Sequence, residues 1–192
     1  RLMIETNQWP LRPQLGESWS PAPTTQDGLA LNAADPMESA KSLKLVEDMI
    51  AGLMSYDQKS LSSMGMKRFW TPQFQWYGPG GIGSARGHVD YERAHQGPFL
   101  TAFPDRIGGN HKCRIGEGTY VASTGWPSLN ATHFGDDWIG LPATGKRITQ
   151  RIMDFWRRED DMLVENWVFI DMVDLISQFG IDLLPDHKRE TK

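Results

Sequence analysis

Asp154 lies in an extended run, 146–158, in which alternation puts Ile148, Ile152, Asp154 and Trp156 on one face and Arg147, Thr149, Arg151, Met153, Phe155 and Arg157 on the other. A carboxylate held between Ile152 and Trp156 loses water. That loss raises its pKa toward neutrality, where the group can both accept and return a proton. The competing reading is a structural ion pair with a neighbouring arginine. In the following run, 162–170, Val164, Asn166 and Val168 share a face, and the Asn166 amide could hold a substrate oxygen. Whether that face is also the face of Asp154 depends on the register of the hairpin through Glu159-Asp160-Asp161, because a slip of one residue reverses it.

The five histidines, His88, His95, His111, His133 and His187, show no metal-ligand spacing, so neither a metal nor an organic cofactor is expected. A surface or satisfied core role is the ordinary fate of any single one. His133 ends a strand that also carries Trp126, Ser128 and Asn130, and it is the best of the five for acid/base work at a barrel mouth. Tyr56-Asp57 reads first as a helix cap; at the floor of a pocket the same pair could polarise a carbonyl or accept a proton. Asp105, in the segment Phe103-Pro104-Asp105-Arg106, is a further catalytic candidate. Trp76, Tyr77, His95, His111, Trp126, Asn130, Asn166 and Val168 are the candidate substrate contacts. Gly78-Pro79-Gly80-Gly81-Ile82-Gly83 is a turn and not a phosphate cradle, since it has no lysine and no strand-turn-helix spacing.

The elements that must position these groups are legible in outline. Asp35-Pro36 is a helix start, and Leu43, Val46, Ile50 and Leu53 follow as an apolar stripe that ends near Ser55. Asp57 can cap a short second helix through Leu61 and Met64, ahead of a strand at Gln73–Tyr77 and a short helix around Val89–His95. From Lys112 onward the signal is strand and turn, with extended runs at 119–133, 146–158 and 162–170. A closing helix at Asp171–Phe179 stops at Gly180. Helices first and a long antiparallel sheet afterwards is an α+β order, in which a curved sheet wraps the helices. Residues 1–35, rich in proline, read as an extended arm whose Trp9 and Trp19 need apolar surface, on this domain or on a second copy; residues 36–184 form the domain and 185–192 a tail.

Composition narrows the partners. A chain of 192 residues with 39% hydrophobic and 23% charged residues can bury one sizeable core. A formal charge of −4 argues against nucleic acid and against an anionic membrane surface. A single cysteine, Cys113, suits a reducing cytoplasm, and no run approaches the ~20 apolar residues of a bilayer span. Eight tryptophans and nine methionines fill ordinary cores, but they also line pockets for flat ligands.

Several segments, in order, resemble the SnoaL-like (polyketide cyclase-like) family of the nuclear transport factor 2-like superfamily. They are Phe74-Gln75-Trp76-Tyr77-Gly78-Pro79, Arg86-Gly87, His95-Gln96 with Pro98-Phe99-Leu100, Ala102-Phe103-Pro104-Asp105-Arg106, Thr132-His133 with Gly140–Arg147, and Glu165-Asn166-Trp167-Val168-Phe169-Ile170-Asp171. The resemblance covers roughly 38–184. It implies a cone of curved sheet around a deep pocket closed by helices, and ring closure of the aldol type without metal or cofactor. It also implies that 154 and 168 face one cavity with Asn166 beside them. The family's cyclases offer a histidine where Asp154 stands and a catalytic aspartate where Val168 stands, so the proton-carrying groups are rearranged here. Ser55-Tyr56-Asp57 with Lys59 is similar to the Tyr-Asp pair of scytalone dehydratase, and the superfamily includes cofactor-free lyases of lignin-derived aromatic dimers.

Three functions are compatible with this reading. The first is a cofactor-independent lyase, dehydratase or isomerase acting on a small hydrophobic, aromatic substrate such as a lignin-derived compound. The second is a polyketide ester cyclase. The third is a non-catalytic module that binds a small molecule or partner. In each case the superfamily resemblance implies a homo-oligomer.

Overall fold

The computed structural model describes residues 33–135 and 138–183. The expectations for the arm with Trp9 and Trp19, for His187 and for the tail fall outside the described residues.

Helix α1 spans Pro36–Met54. The Asp35 side chain accepts from the Met37 backbone N–H at 2.8 Å and Pro36 occupies the first turn, as the sequence predicts. Val46 and Met49 are fully buried on its inner stripe, each stabilising the fold by ~1.5–3 kcal/mol. Gly52 lies on the same stripe because the chain returns close beneath it: a Cβ there would stand 2.7 Å from the Met64 carbonyl oxygen. Two 3-10 turns, Leu61–Met64 and Met66–Arg68, follow in place of the short helix expected after Asp57, and Ser60, not Asp57, caps the first. Strand β1 (Trp70–Tyr77) starts earlier than the sequence suggests and turns back through β2 (Ser84–Arg86). Helices α2 (Gly87–Tyr91) and α3 (Gly97–Ala102) are joined by a π-helical turn, Glu92–Gln96.

The remaining strands are β3 (Ile107–Gly108), β4 (Cys113–Glu117), β5 (Tyr120–Thr132), β6 (Arg147–Glu159) and β7 (Met162–Ile170), and α4 (Met172–Phe179) closes the fold. Asp171 caps α4 by accepting from the Asp174 N–H at 3.0 Å, and Gly180, at φ 98°, ends it in the left-handed conformation a side chain disfavours. The seven strands form one curved, unclosed sheet in the order β2-β1-β7-β6-β5-β3, with β4 paired to β5. The sheet is mixed, where the sequence order suggested antiparallel pairing throughout, because β1 lies parallel to β7. That pair joins the two ends of the domain, and no local turn signal records it.

The pairings fix the inner face. Asp154 stands opposite Ser123 on β5 and Val168 on β7, and Trp156 stands opposite Val121 and Asn166. The β6–β7 register therefore brings Asn166 and Val168 to the face of Asp154. Arg158 ties α1 to the β6–β7 hairpin: its buried guanidinium donates to Ser42 Oγ at 2.9 Å and contacts Glu38 and the Asp160 carbonyl.

Candidate active site

Asp154 projects from the middle of β6 into the interior. Burial pushes its carboxyl up to about 7, against a smaller lowering by the neighbouring Asn166 amide, and among the described residues no ion pair reaches it. The structural-pair alternative thus has no partner. Tyr91 approaches from the helical side: burial, followed by the charge of Asp154, holds its phenol well above the usual tyrosine range, so it stays protonated. His95 is one helical turn further on and is packed between aromatic rings. It stacks on Trp76 at 4.3 Å and lies 5.4 Å from both Tyr91 and Phe99. Burial depresses His95 to about 3, so its imidazole is neutral, and its Nδ1 is buried without a hydrogen-bond partner. The π-helical turn between Tyr91 and Gly97 widens the helix at this point, a distortion that recurs at functional sites.

Asp154, Tyr91 and His95 are each desolvated by surrounding protein, yet each keeps accessible surface. A concavity lies over Trp126, Arg151, Met153 and Phe169 on the outside of the sheet, but it is open and holds no comparable acid/base pair. The site is therefore assigned by its chemistry and not by volume.

The other candidates separate clearly. Val168 is half-buried beside Asp154, and Asn166 is buried one rung on, where its Nδ2 donates to the Phe155 carbonyl at 3.0 Å. Trp76 is fully buried and forms the wall behind His95. Tyr77, adjacent in sequence to Trp76, points to the outer face; it stacks on Trp167 at 5.4 Å and donates to Glu165 Oε1 at 3.2 Å. Trp126 is 59% exposed on that outer face beneath the Arg151 guanidinium at 4.2 Å. Asn130 pairs with Thr149 on the side of β5 away from Ile148.

His133 lies at the far end of the ladder, where its N–H donates to the Lys146 carbonyl, eight positions from Asp154, or ~26 Å of strand. Its Nδ1 pairs with Thr144 Oγ1 at 3.2 Å and its ring stacks on Phe179 at 4.3 Å, which makes it part of the core. Asp57 is exposed and accepts from the backbone N–H groups of Lys59 and Ser60, so it caps a turn. Tyr56 is half-buried beneath Arg106 at 5.3 Å. Asp105 binds Thr132 through its N–H and Oγ1, both at 2.7 Å, and so secures the end of β5. The structure thus places none of these four beside Asp154. His111 is partly buried, with its Nε2 unpartnered.

Sequence reasoning passed over Tyr91, Ser123 and Gln150. Tyr91 and His95 are four residues apart, the spacing that puts two side chains on one helix face. Gln150 is assigned inward by the same alternation that assigns Asp154.

The profile of the SnoaL-like polyketide cyclase family matches residues 56–179. The chain belongs to this family. Its members are generally cyclases or isomerases. Among solved structures the chain is similar to AclR from Streptomyces galilaeus, a candidate hydroxylase, with 26% identity, TM-score 0.56, and 74% of this chain and 97% of that one covered. It is also similar to a candidate SnoaL-like polyketide cyclase from Jannaschia sp. CCS1 (15% identity, TM-score 0.61, 78% and 97% covered). A third is IdmH from Streptomyces antibioticus, a candidate polyketide cyclase (22% identity, TM-score 0.52, 70% and 98% covered). No curated protein matches the chain significantly. The SnoaL-like cone accounts for the inward row on β6, and the fold is of the nuclear transport factor 2-like kind. No helix among the described residues is long and apolar enough to cross a membrane.

Proposed function

We propose that this SnoaL-like protein moves a proton on a small, hydrophobic, uncharged ring compound, with Asp154 as the proton carrier. What carries the proposal is a carboxyl group turned into the interior of the sheet that no cation among the described residues reaches; its burial pushes it up to about 7. As a carboxylate, Asp154 takes a proton from a carbon beside a carbonyl, and the C–H electron pair moves to the carbonyl oxygen as an enolate. The Tyr91 phenol, which keeps its proton, and the neutral His95 imidazole are the groups able to donate to that oxygen. If a leaving group stands on the next carbon, the enolate expels it and protonated Asp154 returns the proton, which is a lyase or dehydratase step. Return of the proton to a different carbon is an isomerase step. Family membership favours a third outcome, attack of the enolate carbon on a second carbonyl to close a ring.

Turnover is expected to rise with pH as a single ionisation near 7 and then level off, because only the ionised carboxyl accepts the proton. A rate that is flat from about pH 6 to 8, or that falls with rising pH, contradicts the base role.

The outer sheet face supports a second copy of the chain as a partner. Trp126, Met153 and Phe169 are exposed there, and Phe155 meets Phe169 edge-on at 6.1 Å. A dimer through this face is expected to dissociate in Phe169→Glu, as read by light scattering; an unchanged mass removes the face from the contact.

A further inference from the structure

Gln150 is fully buried on the inner face of β6, and both ends of its carboxamide lack a hydrogen-bond partner. Buried amides are almost always bonded, because an unpaired end forfeits its hydration for nothing. A leucine of similar size would carry no such cost. Gln150 is also not alone. Ser123 Oγ, opposite Asp154, and His111 Nε2 are likewise buried and unpartnered. The His111 loop presses on the same face at Gly125, where a Cβ would stand 2.5 Å from the His111 Cα. The inner face therefore reads as a polar rung at Ser123–Asp154, an apolar rung at Gly125–Ile152–Ile170, and a polar residue again at Gln150.

Resting on the proton-transfer reading above, we propose that Gln150 is the specificity-determining contact for an uncharged oxygen at the far end of a substrate whose reacting end lies at Asp154. Four residues of strand separate the two, ~13 Å between backbones. With both side chains reaching inward, that spacing is the length of a fused two- or three-ring skeleton crossing the apolar rung, which is the substrate class the proposal names. The carboxamide both donates and accepts, which suits a hydroxyl or carbonyl. A carboxylate or phosphate is disfavoured, since the arginines of β6 are engaged elsewhere: Arg147 is exposed and acts on Asp105, Arg151 lies over Trp126, Arg157 pairs with Glu165 and Arg158 with Glu38. Gln150 binds and orients; Asp154 carries the proton.

The test uses the full chain, two variants of similar volume, Gln150→Leu and Gln150→Met, and two probes. The probes are the naphthalenediol with hydroxyls at opposite ends of the ring system and the corresponding single-hydroxyl naphthol. Without ligand, at least one variant is expected to melt about 3 °C or more above wild type, because the unpaired amide is gone. By calorimetry, wild type is expected to bind the diol about tenfold more tightly than the naphthol, and both variants to bind the two alike. A lower melting temperature in both variants, a diol preference that survives them, or no diol binding by wild type overturns the proposal. Turnover and its pH profile report on Asp154 separately, so either idea can fail without the other.

Discussion

Asp154→Asn is expected to lower turnover by ~10²–10⁴ while leaving the fold intact, since the variant keeps the shape of the side chain and removes only its ability to take a proton. The stability readout has a definite sign. The folded-state pKa of Asp154, about 7, lies above its ordinary 3.8, so the folded protein holds this proton more tightly than the unfolded chain. Ionisation of Asp154 therefore costs stability progressively as pH rises from about 4 to about 7, by up to ~4 kcal/mol, and the cost persists above. The asparagine variant escapes that cost. It should melt above wild type at pH ~8 and close to it at pH ~4. An inactive variant that is also less stable at pH ~8 would identify Asp154 as a structural residue.

Glu165→Ala should have the opposite profile, with a loss of ~3–5 kcal/mol of folding stability in a urea titration, because it strands a buried arginine. Arg157 and Glu165 face each other on the outer side of the sheet with side chains only 6% and 5% exposed. Arg157 also donates to Glu159 at 2.6 Å, and Tyr77 completes the group through its phenol. Burial and the Glu165 charge raise Tyr77 to about 12, which suits a hydrogen-bond donor in a scaffold. A loss below ~1 kcal/mol would show that the pair is only a surface contact. The two carboxylates lie on opposite faces of neighbouring strands. Glu165 has a cation, and its loss should destabilise the sheet; Asp154 has none among the described residues, and its loss should stop the chemistry.

Much of this arrangement was legible where the governing signal is local. The Asp35 cap, the stop at Gly180 and the long strands β5 to β7 follow from capping chemistry and period-two patterning. Inward placement of Asp154 follows from alternation alone. The same rule separates Tyr77 from Trp76, since neighbours on a strand cannot share a face, and it sends Trp126 and Asn130 outward once Val121 is inside. Residue type, not parity, had suggested those contacts. His133 and Asp105 illustrate a different limit. Both have groups capable of chemistry, and each has a local packing partner, Thr144 with Phe179 and Thr132 respectively, that only the tertiary fold supplies. The parallel pairing of β1 with β7 and the π-helical turn that separates Tyr91 from Gly97 are set by contacts remote in sequence, which no window of local pattern contains.

The most direct test of the central claim needs no substrate. Carboxyl-carbon NMR of the wild-type protein, with Asp154→Asn used to assign the resonance, follows the Asp154 carboxyl through a pH titration. The account predicts a midpoint near 7, well separated from the exposed aspartates. A midpoint near the ordinary 3.8 would mean that water or a cation reaches the carboxylate in the cone, and would contradict its role as the proton carrier.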